Sequence, residues 1–110
     1  MGEDYGKVSV LMGVYNCAST VLEAIRSIQE QTYTNWEMII VDDCSKDDTK
    51  EVVEKYMEND SRIKYECLET NSGAAVARTR AMELATGQYM AFLDSDDIWK
   101  PEKLEKQLKY

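Results

Sequence analysis

The strongest constraint on the fold is a regular alternation of short apolar runs with stretches of helical periodicity. Four runs are typical of strands, at residues 8–14, 36–41, 62–67 and 89–93. Each is followed by a segment whose apolar residues recur every three to four positions, as in a helix. Strands that alternate with helices imply parallel pairing through right-handed crossovers. The sequence therefore predicts a β-α-β-α-β-α-β-α chain and an α/β fold.

The same alternation predicts the order of the strands. A chain that steps outward from its first strand and then crosses back beyond it gives a mainly parallel, Rossmann-like sheet in the order 3-2-1-4. Its helices cover both faces, which makes three layers. The return creates a switch point between the first and fourth strands, and open α/β sheets bind ligands at the carboxyl ends of strands beside such a point. The third run is apolar only on alternate residues, so we expect it nearer an edge.

Composition narrows the functional classes. The chain has 110 residues, which allows one domain, and we interpret residues 1–110 as a single one. A net charge of −8 argues against nucleic acid or an anionic membrane surface as the main partner. No apolar run approaches the ~20 residues of a membrane span. The chain has no histidine, which excludes an imidazole base, and its three separated cysteines favour a reducing, cytoplasmic location over a zinc or disulfide framework.

Acidic and aromatic side chains follow three of the four predicted strands. Tyr15 follows the first, Asp42 and Asp43 the second, and the sequence Asp-Ser-Asp-Asp of residues 94–97 the fourth. If the fourth strand continues into this motif, its first and third residues point the same way. Two carboxylates ~4 Å apart repel by about 1 kcal/mol in water and more in a protein. Mg²⁺ or Mn²⁺ relieves that repulsion with oxygen ligands, so the pattern predicts a metal-bridged diphosphate.

Each of these residues also has a structural interpretation. Acids after strands form turns and cap helices. Ser45 is suited to capping the second helix, with Asp47 in its first turn near the positive end of the helix dipole. Arg78 on the third helix can be solvated, and Trp99 can simply anchor the last helix. The joint pattern favours a site more than any single residue does.

Several ordered segments resemble the amino-terminal half of the family 2 inverting glycosyltransferases. The segments are residues 8–16 (VSVLMGVYN), 27–33 (SIQEQTY), 36–49 (WEMIIVDDCSKDDT), 71–73 (NSG), 77–78 (AR), 85–89 (ATGQY) and 92–97 (FLDSDD). The last supplies the D-x-D-type motif of the family. The resemblance runs over roughly residues 7–101. It implies a GT-A fold and transfer of a sugar, with inversion, from a nucleotide diphosphate donor.

The resemblance implies nucleotide-binding roles at the first two strand ends and on the third helix. Tyr15 matches the aromatic side chain that stacks on the base, and Asp43 matches the acid that hydrogen-bonds it. Arg78 lies where the family often has an arginine followed by an asparagine, on a helix that faces the donor. Thr79 follows it here, so only the arginine role is carried over. The expected donor is a UDP-sugar, the commonest in this family.

The D-x-D-type motif implies a metal cofactor. By resemblance, Asp94 and Asp96 match the acids at the ribose and at the metal-bound diphosphate, and Asp97 is a further candidate ligand. The expected cation is Mg²⁺ or Mn²⁺, which neutralises the diphosphate as it leaves.

The resemblance also implies parts that these residues do not supply. Inverting transfer needs a general base within reach of the acceptor hydroxyl. The family provides it after the D-x-D motif, so we expect it beyond Tyr110, in a part that also binds a glycan or lipid-linked acceptor. We therefore expect a domain truncated at its carboxyl end, from a cytoplasmic or peripherally membrane-bound enzyme of polysaccharide synthesis. Alone, it should bind donor and transfer nothing.

Two other functions stay open at this point. One is another Mg²⁺-dependent, phosphate-handling α/β enzyme, such as a receiver domain or an aspartyl phosphatase. Those proteins carry their acids after the first strand, where this chain has Tyr15 and Asn16. The other is a non-catalytic nucleotide-binding or interaction module whose acids hold no metal.

Overall fold

The alternation of strands and helices is confirmed. The computed structural model describes residues 5–94 and 97–109. Its elements, in chain order, are β1 (Val8–Val14), α1 (Ala18–Gln29), β2 (Trp36–Asp42), α2 (Thr49–Asn59), β3 (Ile63–Cys67), α3 (Ala74–Leu84), β4 (Tyr89–Phe92) and α4 (Lys103–Lys109).

The strands form one parallel sheet in the predicted order, β3-β2-β1-β4. β1 lies inside the sheet and pairs with β2 along its whole length, from Val8 opposite Trp36 to Val14 opposite Asp42. Because parallel neighbours in this register end level with each other, the loops after β1 and β2 begin side by side. β4 is shorter and ends at Phe92, opposite Leu11.

Helices cover both faces of the sheet, as predicted. α1 and α2 pack on one face, together with Trp99 and Leu104 from the segment after β4. α3 packs on the other face through Ala77 and Ala81. These small side chains let α3 approach closely, so that a Cβ added to Gly13 in β1 would lie 3.4 Å from the Cβ of Ala77. The close approach brings the start of α3 over the end of β1.

Burial explains the sequence patterns of β2 and of the first part of β3. Every residue of β2 is buried, because helices cover the sheet on both sides there, and such strands are nearly continuous in apolar residues. β3 is an edge strand, as predicted. Ile63 is buried and Lys64 exposed, in line with the alternation, whereas Cys67 at the end of the strand is exposed. Trp99 is buried in the core, with the Lys103 ammonium 4.9 Å from its ring centroid, so its anchoring role is confirmed.

Glu37 forms a buried polar network near the amino-terminal end of the sheet. Its side chain is 4% exposed. It accepts hydrogen bonds from the Ser9 hydroxyl at 2.6 Å, the Lys64 ammonium at 2.9 Å and the Thr86 backbone N–H at 2.7 Å. Burial alone would raise the pKa of this carboxyl, but these hydrogen bonds outweigh it and lower the pKa to about 2. Glu37 thereby joins β1, β2 and β3 to the turn before β4.

Two local predictions are wrong. α2 begins at Thr49, and Ser45 lies in the loop before it, where its side chain receives a bond from another loop instead of capping the helix. β4 ends at Phe92, so strand alternation does not extend to Asp94. Within the described ranges, no helix combines the length and apolarity that crossing a membrane requires.

Candidate functional site

A pocket of about 390 Å³ opens at the carboxyl edge of the sheet, where β1 and β2 end and α3 begins. We call it the edge pocket. Its lining consists of Gly13, Val14, Tyr15, Asp43, Asn71, Ala74 and Ala77. The glycine and the two alanines leave room beneath the two larger groups, the Tyr15 ring and the Asp43 carboxylate. The structure therefore brings together two of the residues that the sequence predicted for nucleotide binding.

Tyr15 stands at the rim of the edge pocket. It directly follows β1, and 46% of its surface is exposed. Among the described residues, no hydrogen bond to its hydroxyl is present. A large ring that is neither packed in the core nor held by its hydroxyl offers a free face, and base-aromatic stacking uses such a face.

Asp43 lies deeper in the edge pocket and is 5% exposed. Its carboxylate accepts backbone N–H bonds from Ser72 at 2.7 Å and Gly73 at 2.9 Å. Gly73 has φ of 100°, a conformation that glycine adopts readily, and it directly precedes α3. Asp43 therefore fixes the turn that leads into α3. Each carboxylate oxygen can accept a second bond, so a ligand N–H can still bind there.

Asn71 is a pocket residue that the sequence did not single out for binding. Its side-chain amide donates to the Asp43 carbonyl at 3.3 Å, and it lines the edge pocket. The Asn-Ser-Gly triplet predicted a turn there, but only the fold shows that the turn closes one side of the pocket.

The two arginines of α3 differ in their availability. Arg80 forms ion pairs with Glu66 and Glu83, and its hydrogen bonds to Glu66 raise the pKa of the guanidinium. Arg78 is exposed, directly follows the pocket residue Ala77, and has no ion pair among the described residues. Of these two cations, Arg78 is therefore the one that is available to bind an anionic ligand.

The acids after β4 are only partly described. Asp94 and Asp97 are exposed, and the Asp97 N–H donates to the Asp94 carbonyl at 3.0 Å. Asp96 lies outside the described residues. Within residues 5–94 and 97–109, no group of three or more Asp, Glu, Cys or His side chains is arranged to hold a metal ion. The donor chemistry nevertheless fits, because the carboxylates of Asp94 and Asp97 are exposed oxygen donors with no ion pair in these ranges.

Asp42 has a structural role, unlike its neighbour Asp43. It is buried, and its carboxylate accepts bonds from the Tyr65 hydroxyl at 2.6 Å and the Ser45 N–H at 2.8 Å. Burial and the bond to Asp42 raise the pKa of the Tyr65 hydroxyl. Asp42 thus fastens the loop after β2 to the sheet.

The fold and the pocket define an open parallel α/β protein with a candidate ligand site at the carboxyl edge of its sheet. Open parallel α/β sheets bind ligands in the crevice at the carboxyl ends of their strands. The chain belongs to glycosyl transferase family 2, whose sequence profile matches residues 9–110. The family resemblance predicted from the sequence is confirmed.

Curated relatives match the chain along nearly its whole length. It is 52% identical over 103 residues to the putative teichuronic acid biosynthesis glycosyltransferase TuaG of Bacillus subtilis (strain 168), covering 94% of this chain and 41% of that protein. It is 46% identical over 106 residues to the Escherichia coli UDP-Glc:alpha-D-GlcNAc-diphosphoundecaprenol beta-1,3-glucosyltransferase WfgD, covering 96% and 41%. The chain therefore spans about two-fifths of the length of these relatives.

Solved structures confirm the fold class. Staphylococcus aureus TarS 1–349 in complex with UDP superposes with a TM-score of 0.88 at 36% identity, covering 94% of this chain and 31% of that one. The mannosyltransferase PcManGT from Pyrobaculum calidifontis, in complex with GDP-Man and Mn²⁺, superposes with a TM-score of 0.80 at 28% identity. The match covers 86% of this chain and 28% of that one.

Proposed function

We propose that this chain is the donor-binding part of a glycosyltransferase and that the edge pocket receives the nucleotide of a UDP-sugar. The observation that carries the proposal is the pairing of a half-exposed Tyr15 ring with a buried Asp43 carboxylate in one pocket at the carboxyl edge. The similarity to TarS, solved with UDP, supports it.

In this proposal, each residue has a distinct task. The base stacks on Tyr15, and a base N–H donates to Asp43, which stays fixed because Ser72 and Gly73 hold its carboxylate. Arg78 approaches the diphosphate from α3. A planar ring and one acceptor recognise a base without large rearrangement, because both are already in place.

Asp94, Asp96 and Asp97 are proposed as the residues that hold Mg²⁺ or Mn²⁺ near the diphosphate. When bound, the cation neutralises charge on the leaving diphosphate. The resemblance of residues 92–97 to a D-x-D motif supports this assignment, as does the similarity to PcManGT, solved with Mn²⁺.

The transfer itself requires groups beyond those described. We propose that the whole protein transfers the sugar with inversion in polysaccharide synthesis at the cytoplasmic side of a membrane. The general base and the contacts to a glycan or lipid-linked acceptor would come from a part beyond Tyr110. The greater length of the relatives supports this division, and the name of WfgD specifies a diphosphoundecaprenol-linked acceptor for that protein. The 110-residue chain alone is expected to bind donor without turnover.

Isothermal titration of the chain with UDP and Mn²⁺ tests the proposed function. We expect saturable binding that Tyr15→Ala weakens by at least ~5-fold, since stacking contributes about 1–3 kcal/mol per base. Tyr89→Ala is a matched control, because Tyr89 is also 46% exposed but lies at the start of β4. The control should bind UDP like the unsubstituted chain.

Two results would contradict parts of the proposal. If UDP does not bind, or if Tyr15→Ala binds it equally well, the edge pocket is not the nucleotide site. If UDP binds with the same Kd in EDTA as in Mn²⁺, the metal assignment is wrong, and a non-catalytic nucleotide-binding module becomes the better interpretation.

A further inference from the structure

We propose that Asn16 is a positioning residue that holds Tyr15 in place for the base. This inference rests on the proposed nucleotide site and adds a residue that has no assigned role there. Tyr15 is half exposed, and in the described part of the chain no partner binds its hydroxyl. Its placement therefore depends on the backbone on either side of it.

The backbone is fixed on both sides of Tyr15 by the loop after β2. On the preceding side, the Val14 carbonyl accepts a bond from the Asp43 N–H at 2.8 Å. On the following side, the Asn16 N–H donates to the Ser45 Oγ at 2.8 Å, and the Asn16 Oδ1 accepts from the Lys46 N–H at 2.8 Å. We call the two Asn16 bonds the Asn16 bracket. Continued pairing of the strands explains the first bond, whereas the bracket depends on side chains.

Asn16 meets two demands at once. Its φ is 48°, in the left-handed region where asparagine is tolerated better than most residues. This conformation turns the chain directly after Tyr15. Its side chain also supplies the acceptor for Lys46, which a glycine with the same φ could not do.

The loop that receives the bracket is itself anchored. The Ser45 N–H donates to the buried Asp42 at 2.8 Å, and Asp42 is held by Tyr65. Farther along, the Asp47 Oδ2 accepts from the Ala18 N–H at 3.2 Å, which ties the start of α1 to the same loop. A bond to an anchored loop restricts Tyr15, whereas a bond to a loose loop would not.

Loss of the bracket should weaken nucleotide binding without removing any ligand contact. A freed Tyr15 segment must be ordered again on binding, and that cost should appear as a roughly 3- to 10-fold increase in Kd. A merely structural role would lower the unfolding temperature and leave the Kd of the folded chain unchanged.

The experiment measures UDP binding in Mn²⁺ by titration for a matched set of variants. Asn16→Gly keeps the backbone conformation and loses the acceptor, and Ser45→Ala loses the other half of the bracket. Both should raise the Kd roughly 3- to 10-fold. Ser45→Thr retains a hydroxyl and should stay within about twofold. Asn59→Ala, at the end of α2, removes an asparagine that bonds only to Lys55 among the described residues and should also stay within about twofold.

A double-mutant cycle identifies the route of the effect. In a Tyr15→Ala background, Asn16→Gly should cause no further loss, because there is no ring left to position. A second readout needs no ligand: the backbone order parameter of Tyr15, from NMR relaxation, should fall in Asn16→Gly and not in Asn59→Ala.

Each remaining outcome overturns a defined statement. An unchanged Kd for Asn16→Gly, or an equal loss with and without the Tyr15 ring, overturns the positioning role and leaves the proposed function intact. Failure of the unsubstituted chain to bind UDP overturns the proposed function and the inference with it.

Discussion

Asp42 and Asp43 show, at the scale of single residues, how identical neighbours acquire different roles. Asp42, the last residue of β2, accepts a bond from the Tyr65 hydroxyl, whereas Asp43, directly after the strand, accepts bonds from the turn that leads into α3. Asp42 uses its carboxylate to fasten a loop. Asp43 uses the same group to shape the edge pocket and retains lone pairs for a ligand.

Removing the Asp43 carboxylate should therefore have two effects. Asp43→Ala leaves the Ser72 and Gly73 N–H groups without their acceptor, which should lower the free energy of unfolding by about 1–3 kcal/mol. It should also weaken UDP binding. Urea unfolding measures the first effect, with Asp48→Ala as control because Asp48 is exposed and forms no side-chain capping bond. Equal urea midpoints for Asp43→Ala and Asp48→Ala would contradict the inference that the Asp43 carboxylate stabilises the turn before α3.

The sequence predicted the Tyr15 and Asp43 positions because both follow strands directly. It could not predict the Asn16 bracket, whose two bonds span 29 and 30 positions and depend on the observed β1–β2 register. The interpretation of Ser45 as a helix cap is wrong for the same reason. A rule based on neighbouring residues in the sequence contains no information about a partner that the tertiary fold brings near.

Glu37 acts at the scale of elements, since it ties three strands to the turn before β4. Its pKa is lowered from 4.5 to about 2, so its stabilisation is fully present above about pH 4.5 and is lost as the pH falls toward 2. By this shift the ionised form contributes on the order of 3 kcal/mol at neutral pH.

Glu37→Gln should accordingly unfold at a lower urea concentration than the unsubstituted chain at pH 7. The difference between the two urea midpoints should narrow as the pH is lowered from 4.5 to 2, because the Glu37 carboxylate of the native chain is then protonated. Glu54→Gln, an exposed change on α2, serves as control and should leave the midpoint unchanged. A difference in midpoint that stays constant with pH would show that the charge of Glu37 is not the source of its stabilising effect.

At the scale of the whole molecule, the sequence predicted the strand order and the layers but not the details of the pocket. Strand order follows from alternation and from the handedness of crossovers, which hold for almost any α/β chain. The pocket depends on how closely α3 approaches β1, where a Cβ added to Gly13 would lie 3.4 Å from the Ala77 Cβ. Such packing is decided by many side chains together.

The position of β1 inside the sheet has a consequence for the order in which the chain folds. Paired residues of β1 and β2 are about 28 positions apart in the sequence, whereas those of β1 and β4 are about 81 positions apart. Closing the longer loop costs more entropy and should come later.

Ala91→Gly in β4 should then mainly speed unfolding, whereas Ile40→Val in β2 should mainly slow folding, as stopped-flow kinetics would show. The reverse pattern would contradict this order. On a ribosome, β1 would expose one open edge until residues 89–92 had emerged.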